Sequence, residues 1–347
     1  MWAVQSSVFK VRSCAGNQGY IELRTQNIEH SLTLAHTMKV TFPARKVFGQ
    51  DLNLNQHHMK KILFATEFSS HAPEEFKFAA ELAYHFKAGL LALHAFGHPD
   101  LRPMVERPLQ ERTDKVTKKL VEFVTANLPE AYREVVQVEY FPVNAYPVDG
   151  ILEAALDQEV DLIVIGSGNP DAVDSILGST ALSVLAKADC QVLMIPEEAR
   201  FEGIDNIVYT VDFEFRDLEA IHYLKQWSAA LHAPIHGLHV IEKNEDELDC
   251  LKNMMILRET FKQDKSIDFD LRHGELRAEA EKFAKSKKAD VVAMISHKRN
   301  FISRVLDAGA VEGMAKRIRL PLLVIKDDAY QLNERAWQWL EVIKGIA

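Results

Sequence analysis

The sequence predicts an α/β fold written twice in one chain, each copy a parallel sheet with helices on both faces. Two observations predict it. The first is the stretch from Asp161 to Pro196. An apolar run, Leu162 to Ile165, ends in Gly166-Ser167-Gly168, and a polar loop leads to Gly178-Ser179-Thr180. A segment of helical period (Leu182, Leu185, Ala186) then feeds a second apolar run, Val192 to Ile195. Short unbroken apolar runs suit strands buried on both faces, and a parallel pair of them needs the intervening helix as a crossover. The second observation is an internal repeat. Lys61-Ile62-Leu63-Phe64-Ala65-Thr66-Glu67-Phe68 matches Asn206-Ile207-Val208-Tyr209-Thr210-Val211-Asp212-Phe213 at an offset of 145, which also carries Leu93-His94 onto Leu238-His239. Further on, Val160 to Ile165 is repeated at Ala289 to Met294, and Gln191 to Ile195 at Pro321 to Ile325. Matches that keep their order point to duplication.

In the first copy the elements read strand (Lys61 to Thr66), helix (Pro73 to Phe86), strand (Gly89 to Ala95) and helix (Leu109 to Asn127). A strand (Val135 to Phe141), a helix (Val148 to Gln158) and the Asp161–Pro196 stretch complete it. The first helix places Phe76, Ala79, Ala80, Ala83 and Phe86 on one face, the spacing of a helix laid on a sheet. Pro73 suits its first turn, where a missing N–H is harmless. The second copy keeps the order, with strands at Asn206 to Val211, Pro234 to Val240, Ile267 to Arg272, Asp290 to Ile295 and Leu322 to Ile325. Alternating strands and helices give a doubly wound parallel sheet.

Composition bounds the function. At 347 residues, 47% hydrophobic and 26% charged, the chain is of globular type with room for two domains. A net charge of −9 argues against a nucleic-acid footprint, and no apolar run approaches the ~18 residues of a membrane span. Cys14, Cys190 and Cys250 are widely spaced and odd in number, which suits a reducing, cytoplasmic compartment. Residues 1–58 carry six Lys/Arg against three Asp/Glu and show no sustained periodicity. They are expected to be a poorly ordered extension ahead of Met59-Lys60-Lys61, either an upstream start assigned in error or a regulatory tail. Residues 59–199 and 204–328 are the two domains. In residues 329–347, Trp337, Leu340 and Ile343 recur at helical spacing and predict a C-terminal helix that packs on the second copy or on a partner chain.

The opening Lys60 to Ser69, His94 at the end of the second strand, Pro147 before Ile151-Leu152 and the Gly166 to Ser179 loop together resemble the universal stress proteins of the UspA type, here as a tandem. The resemblance runs from Met59 to about Asp328 and implies five-stranded, Rossmann-like units of the adenine nucleotide alpha hydrolase kind. In that family the last strands pair across a dimer. This chain is therefore expected to form an intramolecular pseudo-dimer, Val192 to Ile195 antiparallel to Leu322 to Ile325, which covers both edges.

The resemblance also implies a site. Members that bind ATP have a Gly-x-x-Gly turn after the fourth strand and a Gly-Ser or Gly-Thr beyond it, where backbone N–H groups and a helix N-terminus face phosphate. Here Gly166 and Gly178-Ser179 match, but the loop is one residue short, so Gly168 or Asn169 takes the second glycine's part. An acidic residue after the first strand holds adenine and ribose; Glu67, beside Thr66, occupies that place in the first copy and Asp212 in the second. The expected nucleotide contacts are Thr66, Glu67, Gly166, Gly168, Gly178, Ser179 and Thr180, with ATP in the first domain alone. The second copy reads Ile295-Ser296-His297-Lys298, and a branched side chain in place of the first glycine obstructs a phosphate. Asp171 and Asp174 lie between the glycines. At ~8 Å and an effective dielectric of ~20, each opposes a phosphate charge by about 2 kcal/mol, against roughly 8 kcal/mol for micromolar binding.

Other patterns carry less. His232, His236 and His239 are a weak metal candidate, because His236 and His239 on one strand point to opposite faces. His297-Lys298-Arg299 with Arg304 is a basic loop, read chiefly as solvated. Cys190, beside a buried strand, reads as a small core residue. The chain holds no Gly-x-Ser-x-Gly, His-Glu-x-x-His or Walker motif. The expectation is a binding or regulatory stress-response protein rather than an enzyme, with an adenine nucleotide, a protein partner or a further copy of itself as partner. The alternative is an interaction module in which both pockets are degenerate.

Overall fold

A computed structural model describes residues 8–12, 18–22, 59–97, 109–168, 179–213, 216–243, 245–296 and 320–326. The chain divides into two compact units, residues 1–55 and 56–347. In the first unit the described residues are two strands, β1 (Val8–Arg12) and β2 (Gln18–Glu22), paired antiparallel with Val8 opposite Glu22. The expected C-terminal helix lies outside the described residues.

The second unit carries the duplication. Its first copy runs β3 (Lys61–Ala65), α1 (Ala72–Phe86), β4 (Gly89–Ala95), α2 (Leu109–Asn127), β5 (Val138–Val143), α3 (Pro147–Asp157), β6 (Leu162–Gly166), α4 (Ser179–Lys187) and β7 (Gln191–Ile195). The second runs β8 (Ile207–Thr210), α5 (Arg216–Leu231), β9 (Ile235–Ile241), α6 (Glu247–Thr260), β10 (Ile267–His273), α7 (Leu276–Lys287), β11 (Val291–Ser296) and β12 (Leu322–Lys326). All ten strands form one sheet in the order β10-β9-β8-β11-β12-β7-β6-β3-β4-β5. Each half has the same internal order, with its first and fourth strands side by side at the centre, which makes two doubly wound units rather than one long one.

The halves join through their last strands. β7 and β12 pair antiparallel with Leu193 opposite Leu323, Val192 opposite Val324 and Met194 opposite Leu322; every other neighbouring pair in this sheet is parallel. Because Leu193 and Leu323 are equivalent positions of the repeat, the pseudo-twofold axis passes between them. Gln191 extends the joint, its Oε1 accepting from the backbone N–H of Lys326 at 2.5 Å. A parallel sheet cannot close its own edge, so each unit covers the other's.

The alternation of strand side chains splits the core into two layers. Ile62, Phe64, Ile207 and Tyr209 face α1, α2, α5 and α6, whereas Leu63, Ala65 and Val208 face α3, α4 and α7. The five apolar positions predicted for one face of α1 are all buried. The first layer is continuous between copies, with the rings of Phe86 and Trp227 5.9 Å apart. The prediction for β5 started three residues early. A 3-10 turn at Glu130–Tyr132 intervenes, and the Tyr132 carbonyl accepts from the N–H groups of both Val135 and Val136, which keeps them out of the ladder.

Duplication extends to the connections. Asp161 Oδ2 accepts from the N–H groups of Lys60 and Lys61 at 2.7 and 2.9 Å, and Asp290 Oδ2 accepts from those of Asp205 and Asn206 at the same distances. Left-handed residues recur in pairs: Phe68 with Phe213, Lys87 with His232, and Glu159 with Lys288.

Candidate functional site

In an open α/β sheet the crevice lies at the carboxyl ends of the strands where the order reverses. In the first copy that is between β3 and β6, and it brings together Thr66 and Glu67 on one side and Gly166, Ser167 and Gly168 on the other. Thr66 is buried and held twice. His94 Nδ1 donates to its carbonyl oxygen at 2.7 Å, and its Oγ1 accepts from the N–H of Phe68 at 3.0 Å. Burial holds the His94 imidazole below its usual pKa, so it is neutral with its proton on Nδ1. Phe68, at φ +59°, stacks on His94 with ring centroids 4.6 Å apart, and Lys119 Nζ sits 4.0 Å over the Phe68 ring. The turn after β3 is therefore fixed by its own side chains, and Glu67 projects from it into solvent.

Gly168 takes φ +81°, a conformation that favours glycine. The N–H of Ser167 donates to the Ile195 carbonyl at 2.8 Å, and Ser179 and Thr180 open α4. Gly178 lies outside the described residues, as do Asp171, Asp174, Cys14 and the basic loop from His297 to Arg304.

Gly166 has a structural duty that the sequence reading missed. A Cβ there would collide with the carboxylate of Glu75, which reaches in from α1 and is 7% exposed. Burial pushes the Glu75 carboxyl up to about 7, with the charges of Glu67 and Glu197 adding to the effect. Close by in the chain, His71 Nε2 meets Glu197 Oε1 at 2.6 Å, and Glu197 Oε2 is buried without a partner among the described residues. The signal for Glu75 was present in the repeat. At the offset of 145 Glu75 aligns with Ala220, and at the later offset of 129, which carries Val160 to Ile165 onto Ala289 to Met294, Gly166 aligns with Ile295, so Glu plus Gly in one copy replaces Ala plus Ile in the other. Ala220 and Ile295 are both buried in the same apolar layer.

The second switch point differs accordingly. Asp212 is exposed, as Glu67 is, but its N–H donates at 3.4 Å to Asp217, a fully buried carboxylate that also accepts from the Tyr209 hydroxyl. His239 repeats His94, its Nδ1 donating to the Val211 carbonyl at 2.7 Å. The three histidines do not converge. His232 follows α5 at φ +58°, His236 pairs with Asp268 Oδ1 at 2.9 Å, and His239 faces away from both. Cys190 is a poor nucleophile, its thiol pushed up to about 12 by burial.

Two copies of one Rossmann-like unit, each with its own switch point and joined by their final strands, define a tandem, doubly wound α/β protein. The family model described as the universal stress protein family matches residues 58–196 and again 203–326, and the chain belongs to that family. A universal stress protein of Thermus aquaticus is 33% identical over 140 residues, 39% of this chain and 98% of the relative. One of Methanocaldococcus jannaschii is 28% identical over 141 residues, covering 39% of this chain and 81% of its own. Among solved structures, a universal stress protein from Archaeoglobus fulgidus covers 78% of this chain and 97% of its own at 18% identity, with a TM-score of 0.57. A protein from Pseudomonas aeruginosa described as a putative universal stress protein covers 82% and 97% at 17% identity, also with a TM-score of 0.57. The structural likeness bears on the fold and spans both copies.

Proposed function

We propose that this universal stress protein is a binding or regulatory protein of the cytoplasm rather than an enzyme, and that an adenine nucleotide, ATP, binds in its first copy alone. The observation that carries the reading is the asymmetry of the two switch points. The first has Gly166, Gly168 in a left-handed turn, and Glu67 exposed on the adjacent turn after β3, with Ser179 and Thr180 opening α4. The second has the buried side chain of Ile295 where Gly166 stands. Thr66 and Glu67 would meet adenine and ribose; Gly166, Gly168, Gly178, Ser179 and Thr180 would meet phosphate, whose charge suits backbone N–H groups at a helix start.

Glu75 sets a condition on that binding. With its carboxyl at about 7, the proton is half lost at neutral pH, and the anion beneath Gly166 repels phosphate. The expected pH dependence is tighter ATP binding at pH 6 than at pH 8. The second reading, an interaction module for a protein partner or another copy, is favoured by the three carboxylates of Glu67, Glu75 and Glu197 that influence one another here.

Calorimetry of the full chain with ATP at pH 6 and pH 8 tests both. Binding at a single site, weakened about tenfold or more by Gly168→Val and made less dependent on pH by Glu75→Gln, supports the first reading. No heat at millimolar ATP at either pH refutes it and leaves the interaction module.

A further inference from the structure

Near the end of β9 the second copy gathers three side chains that nucleotide binding does not use. His239 is 4% exposed, and because its Nδ1 donates to the Val211 carbonyl, the lone pair of Nε2 is left free to accept. Two groups meet that atom. Cys250 Sγ, on the first turn of α6, lies 3.6 Å from it, and Glu245 Oε2 lies 3.6 Å from it. The three atoms all fall within 4.8 Å of one another. Glu245 Oε2 is itself placed by the N–H of Glu242 at 2.7 Å.

This is not the layout of an activated thiol. A nucleophilic Cys–His–carboxylate set uses opposite nitrogens of the ring, one toward sulfur and one toward the acid. Here the main chain holds Nδ1, and thiol and carboxylate both converge on Nε2. A nitrogen, a sulfur and an oxygen within 4.8 Å of one another are a donor set that one cation can take. For a tetrahedral ion with metal–nitrogen, metal–sulfur and metal–oxygen bonds of about 2.0, 2.3 and 2.1 Å, nitrogen and sulfur stand roughly 3.5 Å apart and nitrogen and oxygen roughly 3.4 Å. The observed 3.6 Å in each case is within the tolerance of such a site. An imidazole whose second nitrogen donates to a backbone carbonyl is also the usual posture of a metal-bound histidine.

We propose that His239, Glu245 and Cys250 form a binding site for a zinc-class divalent cation, three protein ligands with a fourth position open to water. Cys250 is buried and Glu245 is 41% exposed on its side chain, so the ion has a route from solvent past the carboxylate. Asp246 and Asp249 on the adjoining turn add negative charge. The site belongs to the second copy alone. His94 makes the equivalent bond to Thr66, but the first copy has no cysteine between His94 and Cys190.

The full chain, treated with chelator under reducing conditions, is titrated with cobalt(II) and then zinc(II). One cobalt per chain, a thiolate-to-cobalt charge-transfer band and visible bands of tetrahedral intensity, all bleached by one equivalent of zinc, are expected. Cys250→Ser abolishes the charge-transfer band, whereas Cys14→Ser with Cys190→Ser retains it. Glu245→Gln, at an exposed position that leaves the fold intact by circular dichroism, weakens zinc binding about tenfold or more. No thiolate band in the unaltered chain, its survival in Cys250→Ser, or zinc affinity unchanged in Glu245→Gln overturns the proposal.

Discussion

Replacing Glu75 by glutamine should stabilise the protein at alkaline pH and do little in acid. The carboxyl is 7% exposed, and burial raises it from 4.5 to about 7, with Glu67 and Glu197 contributing like charge. The folded protein thus keeps a proton that the unfolded chain has already released. Stability from this group is fully present below about 4.5, falls as the pH rises toward 7 and is gone above it. The gap corresponds to roughly 3 kcal/mol, of which about 2.5 kcal/mol is lost between pH 5 and pH 8. Glutamine has nearly the same shape and no charge to bury. Urea unfolding of both proteins, followed by circular dichroism at pH 5 and pH 8, gives the difference free of titrations elsewhere. The advantage of the Glu75→Gln variant should grow by roughly 2 to 3 kcal/mol across that range. A difference that does not change with pH, or one that shrinks toward pH 8, would refute the assignment of Glu75 as a buried acid that must lose its proton at a cost to the fold.

Leu323→Ala opens a void at the pseudo-twofold axis opposite Leu193 and should cost about 2 to 5 kcal/mol in urea unfolding; a loss below about 1 kcal/mol would deny the joint its place in the core. Asp161→Ala and Asp290→Ala each strip the acceptor from two backbone N–H groups, with an expected cost of about 1 to 3 kcal/mol apiece. The double variant should lose close to the sum, since the two sites share no partner. At pH 8 Cys190 should react with a disulfide reagent only after unfolding, because burial pushes its thiol up to about 12; rapid labelling of the native chain, absent in Cys190→Ala, would contradict that environment.

Most of the architecture was legible because it is written in period and repetition. Strands buried on both faces read as apolar runs, and a second copy that keeps their order confirmed which runs mattered. The antiparallel joint of β7 with β12 came from resemblance and not from any pattern in the strands, whose residues would suit either direction. Edges were harder: Val135 and Val136 have strand character, but Tyr132 takes their N–H groups for a turn. At the site, Thr66, Glu67, Gly166 and Gly168 were named from the resemblance, and the structure sets them on the facing turns that follow β3 and β6. Glu75 was missed because a charged residue on an amphipathic helix is normally read as its solvent face. Its burial depends on a glycine 91 positions later in the chain, and only comparison of the copies, Glu with Gly against Ala with Ile, carries that information. The Cys250–His239–Glu245 cluster was also illegible, since the histidine spacing drew attention to His232 and His236, which point elsewhere.

The antiparallel joint sets a timetable for biogenesis. β7 is complete at Ile195, but its partner begins at Leu322. At about 5–20 residues per second, the intervening chain takes roughly 6 to 25 seconds to synthesise. For that interval the first copy carries an open, apolar sheet border of Val192, Leu193, Met194 and Ile195, competent to dock with the same border of a neighbouring nascent chain. Such encounters would be misassembly, and a covalent partner at high local concentration is what wins the race once it emerges.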